Sequence, residues 1–274
     1  MPRTRTYGLD VDTIAYAARV KAGSGVTILP EPLKQLNKFI VGIKKLGLWN
    51  SMVCWPMRSI HNAGRGSTLY GLGGGRVYNA TLTNNANWSY DGINMSAVTS
   101  DNLSISNFIA SDLINGLNLI VYFTPSGSSP ALTSSTNYFT VYYPSGVFPM
   151  FLYGHSGTGG TANVMSNFYS NDNQRYFTSV QSWANAVRGQ PICYSASLKK
   201  IFAISPSGSI TSQSNLLGNV LRTSPNTLVV GPLNGDATCL LEFLIIINNY
   251  DTVANRLVIQ DLYNKTLRTR QIYF

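Results

Sequence analysis

Between residues 10 and 46 the apolar positions recur at helical spacing, and from about Ser51 the period shortens to two. In the first stretch Ile14, Ala17, Ala18 and Val20 follow Asp10 and Asp12, either of which suits a helix N-cap, and Gly23 suits a left-handed stop. A second helix is predicted to open at Pro30-Glu31-Pro32, because proline is tolerated in the first turn. It continues through Leu33, Leu36, Phe39, Ile40, Ile43 and Leu46 to a stop at Gly47. Lys34, Lys38, Lys44 and Lys45 fall mostly off that apolar stripe, so this helix can rest on a core with its basic side outward.

After Ser51 short runs of Val, Ile, Tyr and Phe alternate with Gly, Asn, Ser and Thr, the pattern of half-buried strands. Strands are predicted at 67–71, 76–83, 102–109, 118–124, 137–143, 147–153, 163–169, 175–180, 191–195, 199–204, 227–230 and 238–248. Turn chemistry separates them at Asp91-Gly92, Pro125-Ser126-Gly127, Pro144-Ser145-Gly146, 157–160, Pro206-Ser207-Gly208 and Asn234-Gly235-Asp236. A last helix fits 252–267, and the tail RTRQIYF could add a closing strand. The expected fold is mainly β: an antiparallel two-sheet sandwich over 51–274, with a helical segment at 1–50 and a short C-terminal helix. Trp49, with Leu48 beside it, stands where the second helix hands over to the first strand, and is expected to bury across that joint.

Composition narrows the field. Of 274 residues 44% are hydrophobic and 11% charged, against about 25% charged in an ordinary soluble domain. Disorder, a coiled coil and a charged helical enzyme are excluded. Cys54, Cys193 and Cys239 are odd in number and far apart, and read as buried small hydrophobes rather than a disulfide framework or zinc site. The opening MPRTRTYGLDVD has no apolar run behind its basic residues, and the apolar stretch 240–247 is short and carries Glu242. A soluble protein made in a cytoplasm is expected, with no secretory signal and no membrane insertion. The net charge of +9 is segregated: residues 1–76 hold 11 of the 20 Lys and Arg, and residues 77–174 hold none. The basic residues form only short groups, Arg3 with Arg5, Lys44-Lys45, Lys199-Lys200 and Arg268 with Arg270, not the dense stripe a phosphate backbone selects. Direct nucleic-acid binding is therefore not expected.

Catalytic chemistry finds little to stand on. A glycoside hydrolase needs two carboxylates flanking the sugar, and the two glutamates are Glu31 in a helix start and Glu242 in an apolar strand. Asp91 in a turn and Asp101 at a strand start read as backbone caps. His61 and His155 lie in Gly/Ser-rich loops, where a lone histidine is expected to be solvated, and no G-x-S-x-G elbow or D-x-D-x-D-G loop occurs. The glycines at 71–75 lead to a strand rather than a helix, which does not fit a phosphate cradle, and those at 154–160 read as a turn. The N-x-[ST] triplets at Asn79, Asn87, Asn94, Asn102 and Asn264 follow from composition. No enzyme activity, cofactor or metal is expected.

Several segments together resemble a known family. A helix ending K-x-x-G-L-W at 44–49, then a short strand, N-A-T-L-T-N at 79–84, Trp88 and a D-G-I turn at 91–93 resemble the laminin-G-like or concanavalin A-like jelly-roll domains in structural proteins of tailed bacteriophages. The apolar strand LEFLIIINN at 241–249 and the helix V-A-N-R-L-V-I-Q-D-L-Y-N at 253–264 are similar to that family's closing elements. The resemblance covers both ends of the chain and is weakest between about 110 and 225. It implies a nonenzymatic virion protein, decorating capsid or tail, with residues 1–50 attaching the sandwich to the particle. Implied partners are other virion proteins, further copies of the chain (a trimer favoured) and a host surface glycan. The 16 tyrosines suit such contacts, since their rings stack on sugars or fill protein interfaces. Tyr138, Tyr142, Tyr143, Tyr169 and Tyr176, set among Asn, Ser and Thr, are the candidate contact residues. A small-virus capsid protein or a lectin-like module is the alternative.

Overall fold

A computed structural model of the chain describes residues 8–74, 76–96, 98–108, 117–126, 136–142, 149–156, 163–169, 175–182, 192–196, 200–204, 210–214, 226–232, 238–248 and 253–268. Helices α1 (Val11–Ser24) and α2 (Pro30–Lys45) come first and α3 (Val253–Thr266) last. Between them lie β1 (Met52–Pro56), β2 (Thr68–Leu69), β3 (Leu72–Gly73), β4 (Ala80–Thr83), β5 (Asn87–Trp88), β6 (Ile93–Ser96), β7 (Asn102–Phe108), β8 (Leu117–Ser126) and β9 (Thr136–Tyr142). They are followed by β10 (Pro149–Ser156), β11 (Asn163–Tyr169), β12 (Arg175–Ser182), β13 (Ile192–Ala196), β14 (Lys200–Ile204), β15 (Ile210–Ser214), β16 (Asn226–Gly231) and β17 (Thr238–Asn248).

The helix ends follow from local chemistry. Asp10 caps α1 by accepting from Asp12 N at 2.9 Å, and Gly25, at φ +72°, closes it with its N–H on Lys21 O at 2.8 Å. The expected stop at Gly23 falls two residues early. Gly23 is instead a point of close approach, where a Cβ would run into the Tyr70 hydroxyl. Pro30 opens α2, and Gly47, at φ +71°, follows its end. Lys44 does not simply face solvent: its Nζ lies 2.6 Å from both Asp10 and Asp12, tying α2 to the start of α1.

The strands form two antiparallel sheets. One runs β15-β14-β13-β8-β17-β1-β3, with β6 pairing the first half of β17 and β5 beside β6; the other runs β12-β11-β10-β9-β16-β7-β4-β2. The mainly β, two-sheet architecture expected from the alternation is the one observed. The alternation does not predict β1, whose five residues are all buried, nor β5, β6 and β15, which are short and exist through pairing to their neighbours. The expected strand at 67–71 shortens to β2, with β3 beginning just beyond it, and 76–83 shortens to β4. Gly71 sits so close to the Tyr78 carbonyl that a Cβ would clash there, and Trp55 Nε1 donates to that same carbonyl at 2.8 Å. The tail at 269–274 and the glycine turn at 157–160 lie outside the described residues.

Alternation of side chains along a strand decides what each face of the first sheet covers. On one face Met52 and Cys54 of β1 and Phe243, Ile245 and Ile247 of β17 join Tyr16, Val20, Leu36, Phe39, Ile40, Ile43, Ile259 and Tyr263 in a single apolar cluster with the helices. On the other, Val53, Trp55, Leu244 and Ile246 are buried between the sheets, as are Leu82, Leu103, Ile105, Leu228 and Val230 of the second sheet. At β1 and β17 the first sheet is therefore covered on both faces, which is why β17 reads as an apolar run interrupted only by Glu242. Phe243 is pinned from two sides: Phe39 meets it edge-on at 5.5 Å and Tyr263 stacks on it at 4.5 Å. At Gly42 a Cβ would strike Leu262, so α2 and α3 touch through the absence of a side chain. The helical segment and the strands after residue 50 share this core, the point that the sequence pattern leaves open.

Candidate functional site

Where β1 leaves the sheet at Pro56, Met57 N donates to Glu242 O at 3.1 Å, and the next residue begins a buried charged cluster. Arg58 is 2% exposed; its Nη1 donates to Leu267 O at 2.9 Å and its Nη2 to Asp91 Oδ1 at 2.9 Å, while Nε is buried with no hydrogen-bond partner among the described residues. Asp91 is presented by a tight turn. Ser89 N donates to Gly92 O at 2.7 Å and Gly92 N to Ser89 Oγ at 3.1 Å, and Gly92 lies so close on the Leu241 carbonyl that no Cβ would fit. Glu242 is the extra residue of a β-bulge, because the β17–β8 register passes from Leu241↔Phe123 to Phe243↔Tyr122. Its carboxylate accepts from Arg268 Nε at 3.2 Å. Burial, partly offset by Arg268, holds the Glu242 carboxyl above the usual carboxylate range. Each carboxylate is engaged by a guanidinium, an arrangement that ties the turn to β1 and the bulge to the end of α3.

The Tyr90 ring covers the Arg58 guanidinium, with the centroid 5.1 Å from the central carbon, and Tyr90 is itself 47% exposed. Two residues upstream Trp88, partly buried, donates its Nε1 proton to Gly66 O at 2.8 Å. Asp91 keeps about a third of its side chain in solvent, 34% exposed, beside Tyr90.

His61 corrects an expectation. It is fully buried, in a 3₁₀ turn over Ser59–His61, rather than solvated. Its Nε2 lies 2.7 Å from Gln35 Oε1, and since that oxygen can only accept, Nε2 carries the proton. Its carbonyl accepts from the Tyr16 hydroxyl at 3.0 Å. Burial, with the nearby Arg58 charge, pushes the imidazole down to about 3, so it is neutral at any ordinary pH. His155 lies in β10, not in a loop. Asp101 is buried and clamps a turn, accepting from Asn85 N and Ser96 N at 2.9 Å each. Cys54 and Cys239 are buried free thiols, and burial pushes Cys239 up to about 12. Among the described residues no group of three or more His, Cys, Asp or Glu could hold a metal ion, and no helix is long and apolar enough to cross a membrane.

Trp49 and Leu48 are each 7% exposed, within the cluster that joins the helices to β1. Gly74 N donates to Trp49 O at 3.1 Å, and a Cβ on Gly74 would enter the indole ring; Lys44 Nζ lies 5.5 Å above that ring. Four of the five candidate tyrosines lie on the second sheet: Tyr138 and Tyr142 in β9, Tyr169 in β11 and Tyr176 in β12, while Tyr143 is outside the described residues. Tyr176 stands in the row that crosses the sheet as Leu82, Leu103, Val230, Val141, Phe151 and Phe168. Of that row Leu82, Leu103 and Val230 are buried. Tyr142 pairs with Val229, in the alternate row with Ser104 and Thr81, and Tyr169, next to Phe168, is likewise in the alternate row. Tyr138 falls at a bulge between the pairs Phe139↔Tyr153 and Asn137↔Gly154. Sequence reasoning missed Arg58, Gln35 and Tyr90. The D-G-I turn pointed at the Asp91 region, but only the fold brings Arg58 beneath it.

No family model and no curated protein sequence matches the chain. Solved structures do match in shape. The binding domain of botulinum neurotoxin serotype D superposes with a TM-score of 0.54 at 10% identity, over 78% of this chain and 53% of that one. The receptor binding domain of botulinum neurotoxin mosaic serotype C/D gives 0.53 at 8% identity, over 78% and 51%, and the serotype C1 binding domain 0.51 at 10%, over 78% and 53%. The chain spans about half the length of these domains. At such identities the likeness establishes the β-sandwich fold and nothing finer.

Proposed function

We propose that this chain is a nonenzymatic recognition module: a β-sandwich that binds a surface glycan and is carried on a virion, as in structural proteins of tailed bacteriophages. The observation that carries the recognition reading is the fold, shared over 78% of the chain with one domain described as a binding domain and another as a receptor binding domain. That argument is one of analogy between scaffolds. The virion reading rests on the family resemblance of the motifs, which occupy one connected scaffold. K-x-x-G-L-W ends α2 and delivers Trp49 to the core, N-A-T-L-T-N contains β4, D-G-I leads into β6, and the two closing segments overlap β17 and α3. Residues that specify a framework, rather than a catalytic set, are what a family of display proteins would have in common.

On this reading residues 1–50 both complete the core and offer the outward faces of α1 and α2 for attachment to the particle, and the chain works as a small oligomer, a trimer favoured. Tyr142 and Tyr169, in the alternate row of the second sheet, are the contact candidates retained from the sequence. The test is a printed array of neutral and sialylated oligosaccharides probed with the purified full chain, with its mass measured by light scattering. Saturable glycan binding by a particle of a few subunits is expected. A closed shell of many copies packing nucleic acid would instead favour the small-virus capsid alternative, and turnover of a glycoside abolished by Glu242→Gln would defeat the nonenzymatic reading.

A further inference from the structure

We infer that the turn Ser89–Gly92 carries a sugar subsite, in which the Tyr90 ring is a stacking platform for a neutral pyranose and the Asp91 carboxylate accepts from its hydroxyls. This rests on the glycan reading above and gives it a site and a ligand class. Among the side chains described, Tyr90 is the only exposed aromatic; Tyr16, Phe39, Trp49, Trp55, Tyr70, Phe108, Phe243 and Tyr263 are buried, and Tyr78 and Trp88 partly so.

An exposed tyrosine on a free turn would lose rotamer and backbone freedom on binding, and that loss weakens affinity. Here the freedom is already removed. One side of the ring rests on the Arg58 guanidinium, which is buried and held at both ends by Leu267 O and Asp91. The backbone beneath is locked by the Ser89–Gly92 hydrogen bonds and by the close seat of Gly92 on β17. The ring is thus fixed in direction while 47% of the residue meets solvent. The apolar C–H face of a pyranose fits such a surface, since a ring offers area and a partial negative face. Asp91 supplies the polar half of the contact. The Asp91 carboxylate, hydrogen-bonded through Oδ1 to Arg58 Nη2, presents 34% of its side chain to solvent beside Tyr90. Hydroxyls are donors that need acceptors, so a neutral sugar is matched, whereas a sialic acid would bring a second carboxylate against Asp91.

The measurement uses the full chain and its Tyr90→Ala, Tyr90→Phe and Tyr142→Ala/Tyr169→Ala variants, on the array of neutral and sialylated oligosaccharides and then by titration with the neutral oligosaccharide bound best. Tyr90→Ala is expected to weaken binding at least about tenfold, as loss of a central aromatic anchor does. Tyr90→Phe is expected to stay within about twofold, because the stacking face is kept. Denaturant midpoints for the Tyr90 variants, close to that of the parent, separate lost contact from lost fold; should Tyr90→Ala fall short of that, Tyr90→Leu keeps an apolar cover on Arg58 without a ring. Unchanged affinity in Tyr90→Ala, with loss in Tyr142→Ala/Tyr169→Ala, would overturn this subsite and leave the glycan reading standing. Binding confined to sialylated glycans would overturn the neutral-sugar assignment. An array on which the parent chain binds nothing would overturn the subsite together with the glycan reading.

Discussion

At the scale of single residues, exposure and the identity of the touching atoms divide structural roles from recognition roles. Trp49 is 7% exposed, and Gly74 is seated so closely on the indole that no side chain fits between them. Trp49→Ala should therefore destabilise the chain by roughly 3 to 5 kcal/mol, read as a lowered urea midpoint at unchanged slope, with no selective effect on glycan binding. His61 makes a different prediction, about acid. In the fold its imidazole sits near 3 against 6.5 ordinarily, so between those values the unfolded chain takes up a proton that the native state refuses. Its contribution is complete above about pH 6.5 and falls as the pH drops, with a slope of up to about 1.4 kcal/mol per pH unit. Glu242, raised by burial, acts in the opposite sense, since protonation relieves its cost as the pH falls. Asp10, lowered by Lys44, adds an acid loss only further down, as the pH falls below its ordinary 3.8. Unfolding free energies from pH 7 to 4.5 should thus decline in the parent chain and stay level or rise in His61→Gln, where the Glu242 effect is left unopposed; the same profile in both would remove the histidine from the account.

The elements divide the work differently from their order along the chain. Strands β1 and β17 are covered by helices on one side and by the second sheet on the other, so removing either cover exposes apolar surface. Deleting residues 1–25 would take away α1, with Tyr16 and Val20 both fully buried and the Tyr16 hydroxyl bonded to His61 O. Each such side chain is worth about 1.5 to 3 kcal/mol by burial. The ion pairs lost with it, Lys44 to Asp10 and Asp12, are 19 to 36% exposed and matter less. The truncated chain is expected to lose its cooperative melt, or to melt markedly lower with increased dye binding to exposed apolar surface. An unchanged far-ultraviolet spectrum and melting curve, with only oligomer formation lost, would assign α1 to attachment alone.

For the molecule as a whole, charge and site make separable contributions to binding. A net charge of +9 attracts any polyanion, and that attraction is screened as ionic strength rises. Stacking of a neutral sugar on Tyr90 is not screened. Binding of a neutral oligosaccharide should therefore change less than about twofold between roughly 0.05 and 0.5 M salt, while retention on a sulfated polymer falls steeply over the same range. If neutral-sugar binding fell with salt as steeply, its source would be the basic surface and not the Tyr90 turn.

Periodicity along the chain was enough to reveal α1, α2, α3 and most strands, because a helix stripe or an alternating strand depends on neighbours a few residues apart. β11 and β17 were read to the residue, and the Gly47 stop and the Asp10 cap are likewise local chemistry. The two-sheet class followed from the same alternation. What periodicity could not reveal is which distant groups meet. His61 looked like a loop residue because Gly and Ser surround it in sequence, yet Gln35 and Tyr16 enclose it in space. Arg58 has no charged neighbour in sequence closer than Arg65, and its partners Asp91 and Leu267 are 33 and 209 residues away. Tyr90 carried no signal of its own, since its fixed orientation comes from a guanidinium supplied by the end of β1 and held by the end of α3. Local pattern is set by backbone geometry within one element, whereas a site is set by which element ends the packing brings together, and here only the stacking of helices on β1 and β17 decided that.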